Sequence, residues 1–281
     1  MISIRGSNMN KNKSHPLVAD DIPSNPLTTT RIAILSLSAI GALIIYFLSF
    51  RAVEFSFSSL VNGIDNMWEF IGGMFPPDLS NSILKKVFDE TLLTIQLALV
   101  GTTISALIAF PLSFLAAKNT APGWSYAPVR FFFNAVRAID TLIFALIFVA
   151  WVGLGPFPGM LAMAIHSIGM LGKLFSEAIE NIDKGQVEAL KSVGATRMEV
   201  VRWAVIPQVS TYFISYFLYR FEINIRAAVV LGLVGAGGIG QYLKTNMDLY
   251  NYDTVSVIIF TILILVMTID AFSNWLRRKL I

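Results

Sequence analysis

The segment Tyr219 to Arg226, YRFEINIR, sets Arg220, Glu222, Asn224 and Arg226 inside an otherwise apolar run from Val209 to Val234. A guanidinium is a planar fork of donors, suited to carboxylates and phosphate-type oxyanions. Arg220 and Asn224 are four residues apart, as are Glu222 and Arg226. Each pair therefore shares a helical face, and Glu222 can neutralise Arg226. An arginine at the centre of a lipid-facing helix costs roughly 2.5 to 3.5 kcal/mol on insertion scales, so these residues are expected to face protein or a water-filled cavity. Two uses remain open: both arginines are paired and hold an assembly together, or at least one lowers the electrostatic barrier for a small anion.

Two further groups bear on such a path. His166 sits in an apolar run beside Ser167 and Gly169; it is either a pathway residue or an imidazole satisfied by a neighbouring hydroxyl or carbonyl. The run GLVGAGGIG, Gly232 to Gly240, follows a membrane helix rather than a strand, which argues against a dinucleotide loop. It is either a close helix contact or an irregular, cavity-lining turn, with Gly235, Gly237 and Gly238 as the candidates.

The stretch GQVEALKSVGATRMEVVRWAVIPQ, Gly185 to Gln208, is instead polar and charged. Lys184, Glu188 and Lys191 share one helical face, with Val187, Leu190 and Val193 towards another. Gly194 stands where a helix ends in a left-handed residue, and TRME from Thr196 is a capping box that starts a second helix. Pro207 is expected to break or kink that second helix before the next apolar run. The unit reads as helix, sharp turn, helix at a membrane surface.

These groups must be positioned by membrane helices. The chain of 281 residues is 55% hydrophobic and 14% charged, with a net charge of +3, whereas soluble domains are roughly 25% charged. Six spans are expected: Ile32–Phe50, Thr91–Ala117, Ala135–Val152, Phe157–Phe175, Val209–Val234 and Thr254–Trp275. GLGPFPG, Gly153 to Gly159, makes a tight turn between the third and fourth. Lysine and arginine concentrate in the leader, at Lys118 to Arg137, at Lys173 to Arg202 and in the tail Arg277 to Lys279. With these segments inside, both termini are cytoplasmic. With no cysteine and only two histidines, disulfides and thiolate metal sites are excluded and a metalloenzyme is disfavoured. The phosphate-binding loop of nucleotide hydrolases is missing, and no convergent set of acids and bases suggests a lipid-headgroup enzyme.

Glu188-Ala189, then Gly194 six residues after the glutamate and Pro207 thirteen after the glycine, resemble the EAA loop of permease subunits of bacterial ABC importers. Leu190, Ala204 and Ile206 depart from the usual pattern but remain apolar. The runs around GLGPFPGMLAMAIHSIGMLGKLF and YRFEINIRAAVVLGLVGAGGIGQYL look like permeases of phosphonate-type importers, which include phosphite and hypophosphite carriers; Asp140 replaces a proline common in that family. The resemblance implies an all-α integral membrane protein with the type I importer permease fold and a cytoplasmic coupling-helix hairpin. The expected organisation is a leader at 1–31, a first span at 32–50, an extracytoplasmic segment at 51–90, a permease core at 91–276 with its loop at 185–207, and a tail at 277–281.

The implied activity is import of a small phosphorus oxyanion across the bacterial inner membrane; an amino acid or betaine is the alternative cargo. The implied partners are a second copy of this chain, two ATPase subunits that bind ATP and magnesium, an extracytoplasmic solute-binding protein and membrane lipid. No nucleic acid, cofactor or resident metal is expected in this chain. Glu188, Ala189, Gly194 and Pro207 would couple to the ATPase. Arg220, Glu222, Asn224, Arg226, His166, Gly235, Gly237 and Gly238 would line the substrate path.

Overall fold

Backbone amides and carbonyls in hydrocarbon have no water to bond, so a chain this apolar satisfies them within helices. The computed structural model describes residues 29–54 and 56–280, and all regular structure among them is helical. Residues 1–28, most of the expected leader with Arg5, Lys11, Lys13 and His15, lie outside the described residues.

The chain divides into two compact units, residues 1–65 and 66–281. The first holds α1 (Thr29–Ala52), which contains the first expected span, and the start of α2 (Phe57–Gly73). α2 lies in the segment expected only as extracytoplasmic connection; Phe57, Val61, Ile64 and Trp68 recur along it at helical spacing.

The second unit continues with α3 (Asn81–Ala116), α4 (Tyr126–Ala138), α5 (Thr141–Val152), α6 (Pro156–Glu180), α7 (Lys184–Ser192), α8 (Arg197–Val200), α9 (Ile206–Gly232), α10 (Gly238–Asp248) and α11 (Tyr252–Leu280). Among the described residues, four helices are long and apolar enough to cross a membrane: α1, α3, α6 and α11. α4 and α5 qualify together as a fifth, bent by 84°. α9 has 27 residues, about 40 Å at 1.5 Å per residue, long enough to cross but less apolar than these four.

The third span, expected to be continuous over 135–152, is therefore broken. Asp140 takes an extended conformation and its side chain accepts from the Leu142 amide at 2.8 Å, capping α5. A short acidic side chain that offers an acceptor to the next free amides favours a helix start over a helix interior.

α3, α6 and α9 form the centre of the unit. Their contacts use small residues, as expected where lipid provides no hydrophobic drive for helix association. Ala98, Ala109, Ala162 and Ala228 are buried, and a Cβ on Gly172 would fall on the Phe133 ring of α4. Larger side chains fill the end near α7: Leu171, Phe175, Ile179, Val205, Val209 and Phe213 form one cluster. Phe175 and Phe213 stack there with centroids 4.2 Å apart.

Candidate functional site

Arg220 lies just past the middle of α9 and is 4% exposed. Its Nε donates to Ser167 Oγ of α6 at 2.7 Å. Asn224, fully buried one turn later, donates to Ser167 Oγ at 3.0 Å and to Thr102 Oγ1 of α3 at 2.8 Å. The Thr102 hydroxyl in turn donates a hydrogen bond to the Ala98 carbonyl. The four side chains thus knit α3, α6 and α9 together with Asn224 fully satisfied. Arg220 is held by one nitrogen only. Among the described residues no carboxylate stands within 4.0 Å of it, and neither Nη group has a protein acceptor. Neither is a sealed, unsatisfied atom, so both Nη groups retain access to open space.

Arg226 meets different surroundings. It pairs with Glu222 at 2.8 Å and with Asp270 of α11 at 2.6 Å, and Arg277 of α11 holds the second Glu222 oxygen at 2.9 Å. Two cations and two carboxylates cancel. The expected Glu222–Arg226 pair is present, within a larger network whose α11 half sequence reasoning missed. Asp270 was the available signal, as the charge inside the apolar run 254–275.

A cavity of about 360 Å³ is lined by Asp140, His166, Arg220 and Arg226 among apolar side chains. It unites three of the expected pathway residues with Asp140, whose role the sequence left open. His166 Nδ1 lies 2.9 Å from the Ile139 carbonyl at the α4–α5 break. A carbonyl only accepts, so Nδ1 carries the proton, and in neutral imidazole Nε2 is the acceptor. Asp140 uses Oδ1 as the helix cap; Oδ2 has no protein donor among the described residues. Glu222 and Asn224 do not line this cavity.

The glycines form a separate place. A second cavity of about 360 Å³ is lined by Gly237 and Gly238 with Lys86, Glu90, Gln241 and Thr245. The link from α9 to α10 is irregular, with φ of +90° at Gly235, +79° at Gly237 and +72° at Gly238, values that side chains rarely adopt. Its backbone is nevertheless bonded: Gly237 N–H donates to Gln241 Oε1 at 2.9 Å, Ile239 N–H to Thr94 Oγ1 at 2.9 Å, and Gly155 N–H to the Gly235 carbonyl at 2.8 Å. The last bond joins the GLGPFPG turn to the glycine run. Both sequence alternatives occur, in different glycines: at Gly232 and Gly240 a Cβ would strike the facing backbone of α10 and α9 respectively.

The polar hairpin follows its sequence signals closely. Asp183 caps α7 through the Gly185 amide at 2.9 Å. α7 ends with Gly194 at φ +84°, its N–H on the Lys191 carbonyl and the Ala195 N–H on the Leu190 carbonyl, the paired bonds of a Schellman ending. Thr196 and Glu199 form the capping box. The Thr196 backbone N–H, followed by its hydroxyl, holds the Glu199 carboxyl below its ordinary range. Glu188 and Ala189 lie on α7, and the Glu188 carboxylate pairs with neither Lys184 nor Lys191 among the described residues.

Pro207 does not break the chain. Val201–Val205 forms a π-helical turn, and α9 continues directly from it. Proline lacks the amide for an interior helical bond and its ring crowds the carbonyl four residues earlier; a widened turn relieves both. The hairpin's second helix is thus continuous with the helix that carries Arg220.

Two tethers were not singled out from sequence. Gln208 Oε1 accepts from the Asp183 N–H at 2.9 Å and its Nε2 donates to the Ala204 carbonyl at 2.8 Å. Glu180 pairs with Arg130 at 2.8 Å and accepts from the Lys118 N–H at 2.7 Å. Together they fix the start of α7 to the ends of α3, α4 and α6 and the beginning of α9. Apart from Ala204, their partners are 25 to 62 residues away in sequence, so no local pattern reveals them.

The sequence profile described as "Binding-protein-dependent transport system inner membrane component" matches residues 109–281. The phosphite transport system permease protein PtxC of Stutzerimonas stutzeri is 41% identical over 224 residues, covering 79% of this chain and 80% of that protein. The phosphate-import permease protein PhnE of Mycolicibacterium smegmatis is 40% identical over 232 residues, 82% of this chain and 43% of that longer protein. Among solved structures, an inward facing form of the MetNI methionine ABC transporter matches with a TM-score of 0.65 at 18% identity, over 72% of this chain and 100% of that one.

Proposed function

This chain belongs to the binding-protein-dependent transport system inner membrane component family and has the fold of type I ABC importer permeases, and from that premise we propose that it forms the membrane path of an ATP-driven importer for a small phosphorus oxyanion. The observation that carries the reading is Arg220, a buried guanidinium locked through Nε on Ser167 with both Nη groups left for a ligand. A fixed fork of donors in a water-filled cavity lowers the barrier for an anion without holding it so tightly that release fails. The relatives named for phosphite and phosphate import support phosphorus as the central atom.

In this reading the chain performs transport, and ATP and magnesium are bound by separate ATPase subunits. Two permease chains, proposed to be copies of this one, enclose the path, and an extracytoplasmic binding protein delivers the solute. The hairpin over residues 183–207 lies on the cytoplasmic side with both termini. Glu188 offers an unpaired anion to a basic ATPase residue, Gly194 and the Thr196 cap define the lever's turn, and the unbroken run through Pro207 into α9 carries the ATPase motion to Arg220. Gly237 and Gly238 line the outer part of the path beside Lys86 and Glu90, and Gly235, which does not line that cavity, shapes the turn that presents them.

One observation favours a second cargo class. Asp140 and Arg220 give the cavity both charge signs, which would suit a zwitterion such as an amino acid or betaine. Uptake by the complete transporter in proteoliposomes separates the readings. Phosphite or methylphosphonate is expected to enter with ATP hydrolysis, and Arg220→Gln is expected to reduce that uptake at least tenfold while leaving assembly and basal hydrolysis intact. Uptake of amino acids or betaine instead, or unchanged oxyanion uptake by the variant, refutes the oxyanion role of Arg220.

A further inference from the structure

The cavity at the α4–α5 break contains a feature that anion attraction leaves unexplained: a carboxylate. Asp140 lies where the membrane-spanning pair turns by 84°, it is exposed, and it lines the same cavity of about 360 Å³ as Arg220 and His166. An ionisable side chain at membrane depth faces water or a polar partner. Oδ1 is occupied by the Leu142 amide, which leaves Oδ2 directed at no protein donor. Arg226 lines this cavity as well, but its charge is matched by Glu222 and Asp270, so Arg220 supplies the uncompensated positive charge.

The cavity therefore has both donors and acceptors in its lining. The Arg220 Nη groups only donate. Asp140 Oδ2 only accepts, and so does neutral His166 at Nε2, because the Ile139 carbonyl fixes the proton on Nδ1. An oxyanion spanning this arrangement needs bare oxygens towards Arg220 and an O–H towards Asp140. Phosphite, phosphate and phosphonates provide both, because their second ionisation falls near neutrality and the monoanion keeps one P–OH; hypophosphite, a monobasic acid, does not. Sulfate has no such proton and would set a bare oxygen against a carboxylate.

We propose that Asp140 is a specificity-determining residue that admits oxyanions carrying an O–H and refuses fully deprotonated ones of the same size. The proposal rests on the reading of this cavity as the oxyanion path. A charge-assisted hydrogen bond gained or lost changes affinity roughly ten- to a hundredfold. The discrimination is separable from the helix cap, because Asp140→Asn and Asp140→Ser both keep a side-chain acceptor for the Leu142 amide and remove the negative charge.

The test uses the purified permease–ATPase complex in lipid nanodiscs, with no binding protein to impose its own selectivity. Line broadening in ³¹P NMR reports phosphite binding in fast exchange, and competitors reverse it. In the parent, methylphosphonate is expected to compete at least tenfold better than sulfate, and Arg220→Gln is expected to abolish the broadening. In Asp140→Asn and Asp140→Ser, sulfate is expected to compete within a few-fold of methylphosphonate. Equal competition by sulfate in the parent, or an unchanged ratio in both Asp140 variants, overturns the selectivity role and leaves the cavity reading standing. No broadening in the parent, or broadening indifferent to Arg220→Gln, overturns the cavity reading and this proposal with it.

Discussion

Arg220 and Arg226 stand six residues apart on α9 and meet opposite electrostatic surroundings. Sequence spacing treats them alike, but Arg226 is enclosed by Glu222 and Asp270 while Arg220 touches hydroxyl oxygen only. Their substitutions should therefore fail differently. Arg226→Gln leaves the Asp270 carboxylate, one-third exposed, without its cation, and partly buried charges stripped of a partner cost about 1–3 kcal/mol after allowance for solvent screening. A lower thermal unfolding midpoint of the detergent-solubilised complex is expected, and adding Asp270→Asn should recover much of it. A full loss of stability in the double variant would show that Arg226 acts through packing of its stem rather than through charge. Arg220→Gln should leave the midpoint near that of the parent.

At the scale of elements, the hairpin's geometry depends on Gly194 more than on any side-chain contact. A Cβ built there meets nothing within 4 Å, so substitution is opposed by the backbone alone. At φ +84° a β-branched residue is a strained outlier, at a cost of about 1–3 kcal/mol, while asparagine is tolerated. Gly194→Val is accordingly expected to abolish uptake and binding-protein stimulation of ATP hydrolysis, with the protein still inserted, and Gly194→Asn to keep most of both. Equal activity of the two variants in proteoliposomes would remove the turn from the coupling mechanism. The turn of the hairpin was legible because capping is local: Gly194 and the Thr196–Glu199 box act within three residues, whereas the Asp183 cap of α7 was not singled out. The π-turn before Pro207 was not, since proline signals a disrupted ladder without saying whether the helix breaks or widens.

Across the whole second unit, α3 runs for 36 residues, about 54 Å at helical rise. Ser80 precedes one end, and Glu180 ties the other to the last turn of α6, just before α7. Ser80 and Ser192 thus lie towards opposite ends of the longest helix. Because the chain has no cysteine, a single cysteine at either position can be labelled without background. Ser192→Cys is expected to react with an impermeant maleimide only from the cytoplasmic side of oriented vesicles, and Ser80→Cys only from the other. Labelling of both from one face would refute the proposed topology and place the hairpin away from the ATPase.

The sequence by itself determined that the chain is a bundle of membrane helices with a capped polar hairpin, because hydropathy, charge asymmetry and helix caps are properties of short stretches. It also marked Arg220, Glu222, Asn224 and Arg226 as residues expected to face protein or a water-filled cavity, since lipid makes any other direction costly; Arg226 is nevertheless half-exposed. Which arginine is free was decided only by the fold, which brings Asp270 and Arg277 of α11 to Glu222 and Arg226 across 44 to 55 residues and leaves Arg220 with Ser167. The same holds for Asp140. Its spacing announces nothing, and its place beside Arg220 arises from the break between α4 and α5 and the His166 bond that holds that break against α6. Helix identity follows from local energetics, whereas the pairing of charges within a membrane depends on which helices come into register, and only long-range packing sets that.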